Sequence, residues 1–174
     1  MEGKPFLLLD VDGVVNPFAQ SNSQLRKGKQ FREYKLLGFK VWLNPWHGEE
    51  LLKLTDVFDL VWATTWEHEA NSLIGPRLGL PELPVIEFTK LMPDQPPEPG
   101  LHWKTAVITA YALAHRRAFA WVDDEVSVQD GMHFMKWCED PFLALKIDPV
   151  TGLTAEHFTK LREWAEGGMD ECDE

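Results

Sequence analysis

The sequence predicts a three-layer α/β protein in which helices cover both faces of a parallel sheet. Short apolar segments of strand length alternate along the chain with longer helical segments, as they do where crossover helices connect parallel strands. The apolar segments are continuous rather than alternating, which is typical of strands buried on both faces. The chain has 174 residues, of which 44% are hydrophobic, and this fits one domain with a sizeable core.

Five segments are predicted to form strands, because each is apolar and bounded by residues that favour turns. The predicted strands are Phe6–Asp10, Phe58–Ala63, Pro84–Phe88, Phe119–Asp123 and Phe142–Ile147. Three polar residues, Asp10, Thr64 and Asp123, lie at carboxyl ends of these strands. Ligands of parallel α/β sheets bind at that edge.

Four segments are predicted to form helices. Asn44 followed by Pro45 is typical of a helix start, and Thr154 is the predicted cap of the last helix. The predicted helices are Asn44 to about Leu54, Trp66–Leu78, Leu101–Arg117 and Thr154–Glu166. Between them, the polar segment 16–43 is predicted to form a hairpin or flap, and the proline-rich segment 92–100 a loop.

The composition predicts a single cytoplasmic domain, residues 1–168, with an acidic disordered tail at 169–174. The net charge of −11 disfavours long-range attraction to nucleic acid or anionic membranes, so a phosphate group needs local positive charge or a metal. The two cysteines have no metal-ligand spacing and predict no disulfide. We expect no signal peptide and no membrane partner, because no apolar run is long enough.

A pair of aspartates follows the first predicted strand. Asp10 and Asp12 are two residues apart, so on an extended segment their carboxylates would point to the same side. Gly13 then permits a sharp turn. A calcium-binding loop would need further acids downstream, and residues 14–18 supply none. The position after a buried strand therefore favours catalysis.

A second acidic pair, Asp123 and Asp124, follows the fourth predicted strand, although either residue could instead cap a helix. If the two strand ends are adjacent, four carboxylates share a small volume. Two such charges about 4 Å apart repel by roughly 4 kcal/mol at an effective dielectric near 20. A divalent cation would remove this conflict, and oxygen ligands without histidine or cysteine favour Mg²⁺.

Two further positions are candidates for phosphate binding. Thr64 and the adjacent Thr65 follow the second predicted strand, where a hydroxyl could donate to a phosphate oxygen or simply cap the next helix. Lys104 lies near a predicted helix start, where the helix dipole disfavours a cation. Lys104 is either a solvated surface residue or the partner of a carboxylate and a phosphate.

These four elements, in this order, resemble the haloacid dehalogenase (HAD) superfamily of phosphohydrolases over the segment from Phe6 to about Ile147. The segments 10–16 and 62–68 are similar to those of HAD domains in RNA-repair proteins. The resemblance implies a Rossmann-like, HAD-like fold. It also implies a small capless member, in which a flap at about 16–43 replaces the cap domain.

The resemblance also implies a mechanism and the role of each residue. Asp10 would attack phosphorus and form an aspartyl-phosphate, and Asp12 would protonate the leaving oxygen and later activate water. Thr64 or Thr65 would hold the phosphate, and Lys104 would steady the nucleophile and the phosphate. Mg²⁺ would be bound by Asp10, Asp123, Asp124 and the backbone carbonyl of Asp12. The implied reaction is magnesium-dependent hydrolysis of phosphate monoesters.

The capless resemblance implies an open site suited to a phosphorylated small molecule or to a large substrate such as a nucleic-acid end. Basic residues of the flap could attract a polyanion or could be a solvated face. They are Arg26, Lys27, Lys29, Arg32, Lys35 and Lys40. Trp46 or Trp66 could stack on a ring rather than pack in the core.

Two other functions are compatible with these residues. A phosphotransferase or phosphomutase would share the covalent intermediate and pass the phosphoryl group to an alcohol. A catalytically inactive binding module would keep the fold alone, but the presence of Asp10, Asp12, Thr64, Lys104 and Asp123 together argues against it.

Overall fold

The computed structural model describes residues 3–18, 30–91 and 98–167. Its strands are β1 (Phe6–Leu9), β2 (Arg32–Leu36), β3 (Phe39–Leu43), β4 (Asp59–Trp62), β5 (Phe119–Asp123) and β6 (Phe142–Lys146). Four of them form a parallel sheet in the order β4-β1-β5-β6, and β2 and β3 form a separate antiparallel hairpin. The predicted parallel sheet is confirmed.

Helices connect the strands and cover the sheet. They are α1 (Pro45–Leu54), α2 (Gly75–Leu78), α3 (Phe88–Leu91), α4 (Thr105–His115), α5 (Val128–Trp137) and α6 (Ala155–Glu166). A π-helical turn, Ala70–Ile74, directly precedes α2. As predicted, the Asn44 side chain caps α1 by accepting the Trp46 N–H at 3.1 Å, and Thr154 is the cap residue of α6.

The central strand β1 is buried on both faces, which explains its unbroken apolar sequence. Leu7 and Leu9 pack in one core cluster together with residues of α1 and α6, such as Leu51 and Leu161. Leu8 packs in a second cluster on the other face, against residues of α4 and α5. The helices therefore form a layer on each face of the sheet, and the predicted three-layer architecture is confirmed.

The hairpin of β2 and β3 lies in the segment predicted to be a flap. Its turn residues Leu37 and Gly38 both have positive φ, 49° and 86°, as a tight hairpin turn requires. Val41 is fully buried in the core of the domain. The N–H of Trp42 donates to Asn16 Oδ1 at 2.9 Å, which ties the hairpin to the loop after β1.

The predicted strand Pro84–Phe88 is wrong. Only Val85 forms a bridge, to Trp62 at the end of β4, and the chain turns into α3 at Phe88. The Pro84 carbonyl accepts the Trp62 N–H, the Ile86 N–H donates to the Trp62 carbonyl, and these two bonds form the bridge. A strand needs pairing over more residues than this.

Two predicted helices begin later than expected. In the segment Trp66–Leu78, Glu67 has a left-handed backbone (φ 42°), so regular helix cannot include it. In the segment Leu101–Arg117, the helix begins at Thr105, and Arg116 ends it with a φ of 48°. The residues before each helix are left in irregular turns, where their side chains can reach the sheet edge.

Some predictions fall outside the described residues. These are the acidic tail 169–174, residues 92–97 of the predicted loop, and the flap residues Arg26, Lys27 and Lys29. Within the residues that the structure does describe, no helix combines the length and apolar character needed to cross a membrane.

Candidate active site

The two acidic motifs meet at the carboxyl edge of the sheet. Asp10 directly follows β1, Asp123 is the last residue of the adjacent strand β5, and the N–H of Asp10 donates to the Val122 carbonyl at 3.1 Å. Asp10, Asp123 and Asp124 each offer a carboxylate oxygen, and these oxygens lie within 4.8 Å of one another. The structure therefore brings together three of the four carboxylates that the sequence predicted to converge.

Lys104 lies within this acidic cluster. Its ammonium is 2.9 Å from Asp10 Oδ2 and 2.7 Å from Asp123 Oδ2, and its side chain is only 3% exposed. Burial alone would lower the pKa of Lys104, but Asp10 and Asp123 outweigh burial and raise it. The lysine is therefore a charged partner of two carboxylates and not a solvated surface residue.

The single ammonium of Lys104 does not balance the three carboxylates of Asp10, Asp123 and Asp124. Burial raises the pKa of Asp10 to about 7; Lys104 opposes this rise, and the charge of Asp123 adds to it. Burial, with the charge of Asp123, also raises the pKa of Asp124. Both shifts express the cost of holding anions close together away from water. A further positive charge at this place would lower that cost.

The cluster could hold a metal ion. Its donors in the described residues are carboxylate oxygens without histidine or cysteine, as hard divalent cations prefer. Gly13 makes room for one of them, because a Cβ there would lie 2.5 Å from Asp124 Oδ2. Gly13 also has a φ of 73°, a conformation that other residues adopt only with strain. The residues present fit a divalent cation.

The Asp12 side chain has different hydrogen-bond partners from that of Asp10. Its oxygens accept hydrogen bonds from Asn16 Nδ2 at 2.7 Å and from Trp66 Nε1 at 2.8 Å. The prediction that both carboxylates point to the same side assumed an extended segment. The strand ends at Leu9. The chain then forms a turn in which the N–H groups of residues 14–16 all donate to the Val11 carbonyl. Strand alternation therefore does not apply at Asp12.

The two threonines lie at the same edge in different surroundings. Thr64 is fully buried beyond the end of β4, and its Oγ1 accepts the N–H of Trp66 at 3.4 Å. Thr65 is exposed and lines a cleft that also contains Asp12. Both alternatives for the phosphate-binding hydroxyl therefore remain compatible with the geometry.

A buried carboxylate that the sequence reasoning missed supports this site. Asp130, in the first turn of α5, accepts hydrogen bonds from the N–H groups of His102 and Ser127 and from the hydroxyls of Thr105 and Ser127. It thus joins the segment that carries Lys104 to the loop after Asp123. The signal was present, because Ser127 and Asp130 have the spacing of a capping box.

His102 forms a second connection between the same two segments. Its Nδ1 accepts the N–H of Lys104 at 3.1 Å, so Nε2 carries the proton and donates to Glu125 Oε2 at 2.9 Å. The Glu125 N–H in turn donates to Asp123 Oδ1 at 2.9 Å. These bonds fix the backbone on both sides of the ion pair between Lys104 and Asp123.

We expect Asp130→Ala to lower the free energy of unfolding by about 3 kcal/mol, because it leaves several buried donors without an acceptor. Burial raises the pKa of Asp130, but its hydrogen bonds from Ser127, Thr105 and His102 outweigh burial and hold the pKa below the ordinary value. The stabilisation is therefore present above the unfolded carboxyl pKa and is lost as the pH falls through the folded value.

Urea unfolding of the wild type and of Asp130→Ala, at neutral pH and at about pH 3, measures this effect. The difference between the two proteins should be smaller in acid. A difference that stays the same at both pH values would mean that the carboxylate charge contributes nothing.

Comparison with known proteins identifies one family for this chain. A sequence model of the family described as "HAD domain in Swiss Army Knife RNA repair proteins" matches residues 6–158, which contain every predicted site residue. No curated protein and no solved structure matches the chain. The family match covers far more than half of the 174 residues. The chain therefore belongs to the HAD domains of the Swiss Army Knife RNA repair proteins.

Proposed function

We propose that the protein is a magnesium-dependent phosphatase that hydrolyses phosphate monoesters through an aspartyl-phosphate on Asp10. The observation that carries the proposal is the Lys104 ammonium, paired with both Asp10 and Asp123 at the carboxyl edge of the sheet. Such a charge offsets the repulsion between an anionic nucleophile and an anionic phosphate. The chain belongs to a family of HAD domains, and this supports the same type of reaction, the hydrolysis of a phosphate ester.

The reaction has two steps. A carboxylate oxygen of Asp10 attacks phosphorus, and the bond between phosphorus and the ester oxygen breaks while Asp12 gives its proton to that oxygen. Asp12 then takes a proton from water, the water oxygen attacks phosphorus, and inorganic phosphate leaves Asp10. The hydrogen bonds from Asn16 and Trp66 hold the Asp12 carboxylate in place between the two transfers.

The remaining groups balance charge and hold the phosphate. A Mg²⁺ ion held by Asp10, Asp123, Asp124 and the backbone carbonyl of Asp12 would neutralise part of the phosphoryl charge. Lys104 supplies a second positive charge beside the nucleophile. The hydroxyl of Thr64 or of Thr65 would donate to a phosphoryl oxygen.

The substrate is a phosphorylated small molecule or a nucleic-acid end. The hairpin of β2 and β3 is small and stands where a cap domain would otherwise enclose the site. Arg32, Lys35 and Lys40 on this hairpin could contact an anionic substrate, whereas the overall charge of −11 opposes one. A cytoplasmic location remains a prediction from the composition.

The test is a screen of aryl phosphates, phosphorylated metabolites, mononucleotides and end-phosphorylated oligonucleotides for release of inorganic phosphate. With Mg²⁺ present we expect turnover of at least one substrate. Removal of metal with EDTA should lower the rate by at least about a hundredfold, because the carboxylate cluster then repels the phosphate, and added Mg²⁺ should restore it.

Turnover that is unaffected by EDTA would contradict the magnesium requirement. Adding an alcohol acceptor separates hydrolysis from phosphoryl transfer, because a transferase yields a new ester at the expense of inorganic phosphate. No turnover of any substrate would favour the inactive binding module.

A further inference from the structure

A cleft of about 550 Å³ opens beside Asp12, between the hairpin and the segment that follows β4. Phe39 and Val41 of β3 line one side, and Trp66 and Thr65 line the other. This volume is within the range of sites that hold one small molecule, roughly 300–1,000 Å³. The cleft lies apart from the cluster of Asp10, Asp123 and Asp124, none of which lines it.

The hairpin side of the cleft exposes large apolar side chains. Phe39 is 67% exposed and Leu37 is 64% exposed, and Phe18 is also exposed at the edge of the cleft. Apolar residues gathered at one concave place cost solvation free energy unless a ligand or partner covers them. Trp66 adds a further aromatic ring from the opposite side.

The cleft begins at the group that protonates the leaving oxygen. The indole Nε1 of Trp66 donates to Asp12 Oδ2 at 2.8 Å, so the ring is tied to the acid that meets this oxygen. A substituent on the oxygen that receives the Asp12 proton would extend away from phosphorus and enter the cleft. Such a substituent is the leaving group of a phosphate ester.

The charges of the cleft indicate what kind of leaving group it takes. Among the described residues that line it, the charged ones are Asp12, Glu69 and Lys40. Lys40 already lies 3.8 Å from Glu33 Oε1, so the described lining of the cleft has no surplus of positive charge for an anionic group. Aromatic walls favour a flat, uncharged ring, which stacking stabilises by about 1 kcal/mol beyond its buried area.

From these observations we infer that the cleft is the leaving-group subsite and that it selects phosphate monoesters whose leaving group carries an aromatic or heteroaromatic ring. This inference rests on the proposed phosphatase function. The same ring chemistry could come from a free aryl ester, a mononucleotide or the terminal base of an oligonucleotide. Phe39 and Trp66 are the residues that determine this specificity.

The first experiment compares kcat/KM for phenyl phosphate and glycerol 2-phosphate in the wild type, Phe39→Ala and Phe39→Tyr. We expect Phe39→Ala to lower the ratio of phenyl to glycerol turnover about tenfold, and Phe39→Tyr to restore most of it. Met135→Ala is the matched control, because Met135 is an equally exposed apolar residue on α5. An unchanged ratio in Phe39→Ala would overturn the inference and leave the phosphatase proposal standing.

The sources of the ring are separated by repeating the comparison with a mononucleotide and with an end-phosphorylated oligonucleotide. A lower kcat/KM of Phe39→Ala for the mononucleotide or the oligonucleotide identifies a nucleobase as an occupant. A kcat/KM that falls for phenyl phosphate alone identifies a simple aryl group. Each pattern supports a ring-binding subsite, whereas equal losses for ring and glycerol substrates contradict it.

A binding measurement keeps the inference testable without turnover. We expect phenol, the dephosphorylated product, to shift the NMR signal of the Trp66 indole N–H in the wild type and to shift it less in Phe39→Ala. Phenol that leaves this signal unchanged at concentrations that shift other tryptophans would contradict the subsite. If no substrate is hydrolysed, the phosphatase proposal fails. The phenol titration then still shows whether the cleft binds an aromatic ring.

Discussion

Replacing Asp10 by asparagine is expected to lower kcat by at least about a thousandfold, because the amide cannot attack phosphorus. Asparagine keeps the shape of the side chain and can still accept the Val11 N–H that Asp10 Oδ1 accepts at 2.7 Å. We therefore expect the fold to persist. Initial rates of phosphate release, with the thermal unfolding temperature of each protein, measure both expectations.

Asp59→Asn is a suitable control for this substitution. Asp59 begins β4, so the same chemical change is made at the opposite end of the sheet, and the rate should stay within about twofold of the wild type. Acid-quenched wild-type protein taken during turnover should also gain the mass of one phosphoryl group, and Asp10→Asn should not. Wild-type rates in a folded Asp10→Asn protein would rule out Asp10 as the nucleophile.

The position of Asp10 and Asp123 at the sheet edge was predictable, because each lies at the end of an apolar segment in the sequence. Strand β1 is four apolar residues followed by Asp10, and β5 is a fully buried segment that ends in Asp123. Parallel neighbours bring such ends together without further information. A reader of the sequence could therefore place both acids at one edge, although not the direction in which each side chain turns.

The contacts that hold the acids in place were not predictable in the same way. Asp130 bonds to His102 across 28 residues of chain, and Asp12 bonds to Trp66 across 54. Neither spacing corresponds to a helix or strand period, so no local pattern indicates them. They depend on where α4, α5 and the turn after β4 pack against the sheet.

The cleft beside Asp12 shows the same dependence on long-range packing. The sequence predicted a hairpin or flap in the segment 16–43 and indicated that Trp46 or Trp66 could stack on a ring. It could not show that Phe39 would stay exposed while Val41, on the same strand, is buried in the core. The Trp42 N–H, next to Val41, donates to Asn16 across 26 residues of chain, and this is one long-range contact that holds the hairpin.

Replacing Lys104 by methionine is expected to lower kcat by at least about a hundredfold, because the positive charge beside the nucleophile is lost. Methionine keeps an unbranched apolar chain of similar length, so the change removes charge more than volume. Removing one partner of a buried ion pair also costs stability, about 3 kcal/mol here. Uptake of a proton by Asp10, whose pKa burial already raises to about 7, limits that cost.

The same variant separates the roles of Lys104 and the cation. The ammonium competes with Mg²⁺ for Asp10 and Asp123, since it lies 2.9 Å and 2.7 Å from their oxygens. We therefore expect Lys104→Met to bind Mg²⁺ more tightly, and saturating Mg²⁺ to raise its unfolding temperature more than that of the wild type. Titration calorimetry and thermal unfolding measure these two effects.

Lys90→Met is the matched control, because Lys90 is an exposed residue of α3 that pairs with Glu87, and its loss should change neither property. Weaker Mg²⁺ binding in Lys104→Met, with an unchanged kcat, would mean that the lysine organises the carboxylates for the metal and takes no part in phosphoryl transfer. Tighter Mg²⁺ binding together with a large loss of kcat would mean that the charge of Lys104 acts on the nucleophile or on the phosphate, because the cation alone then does not replace it.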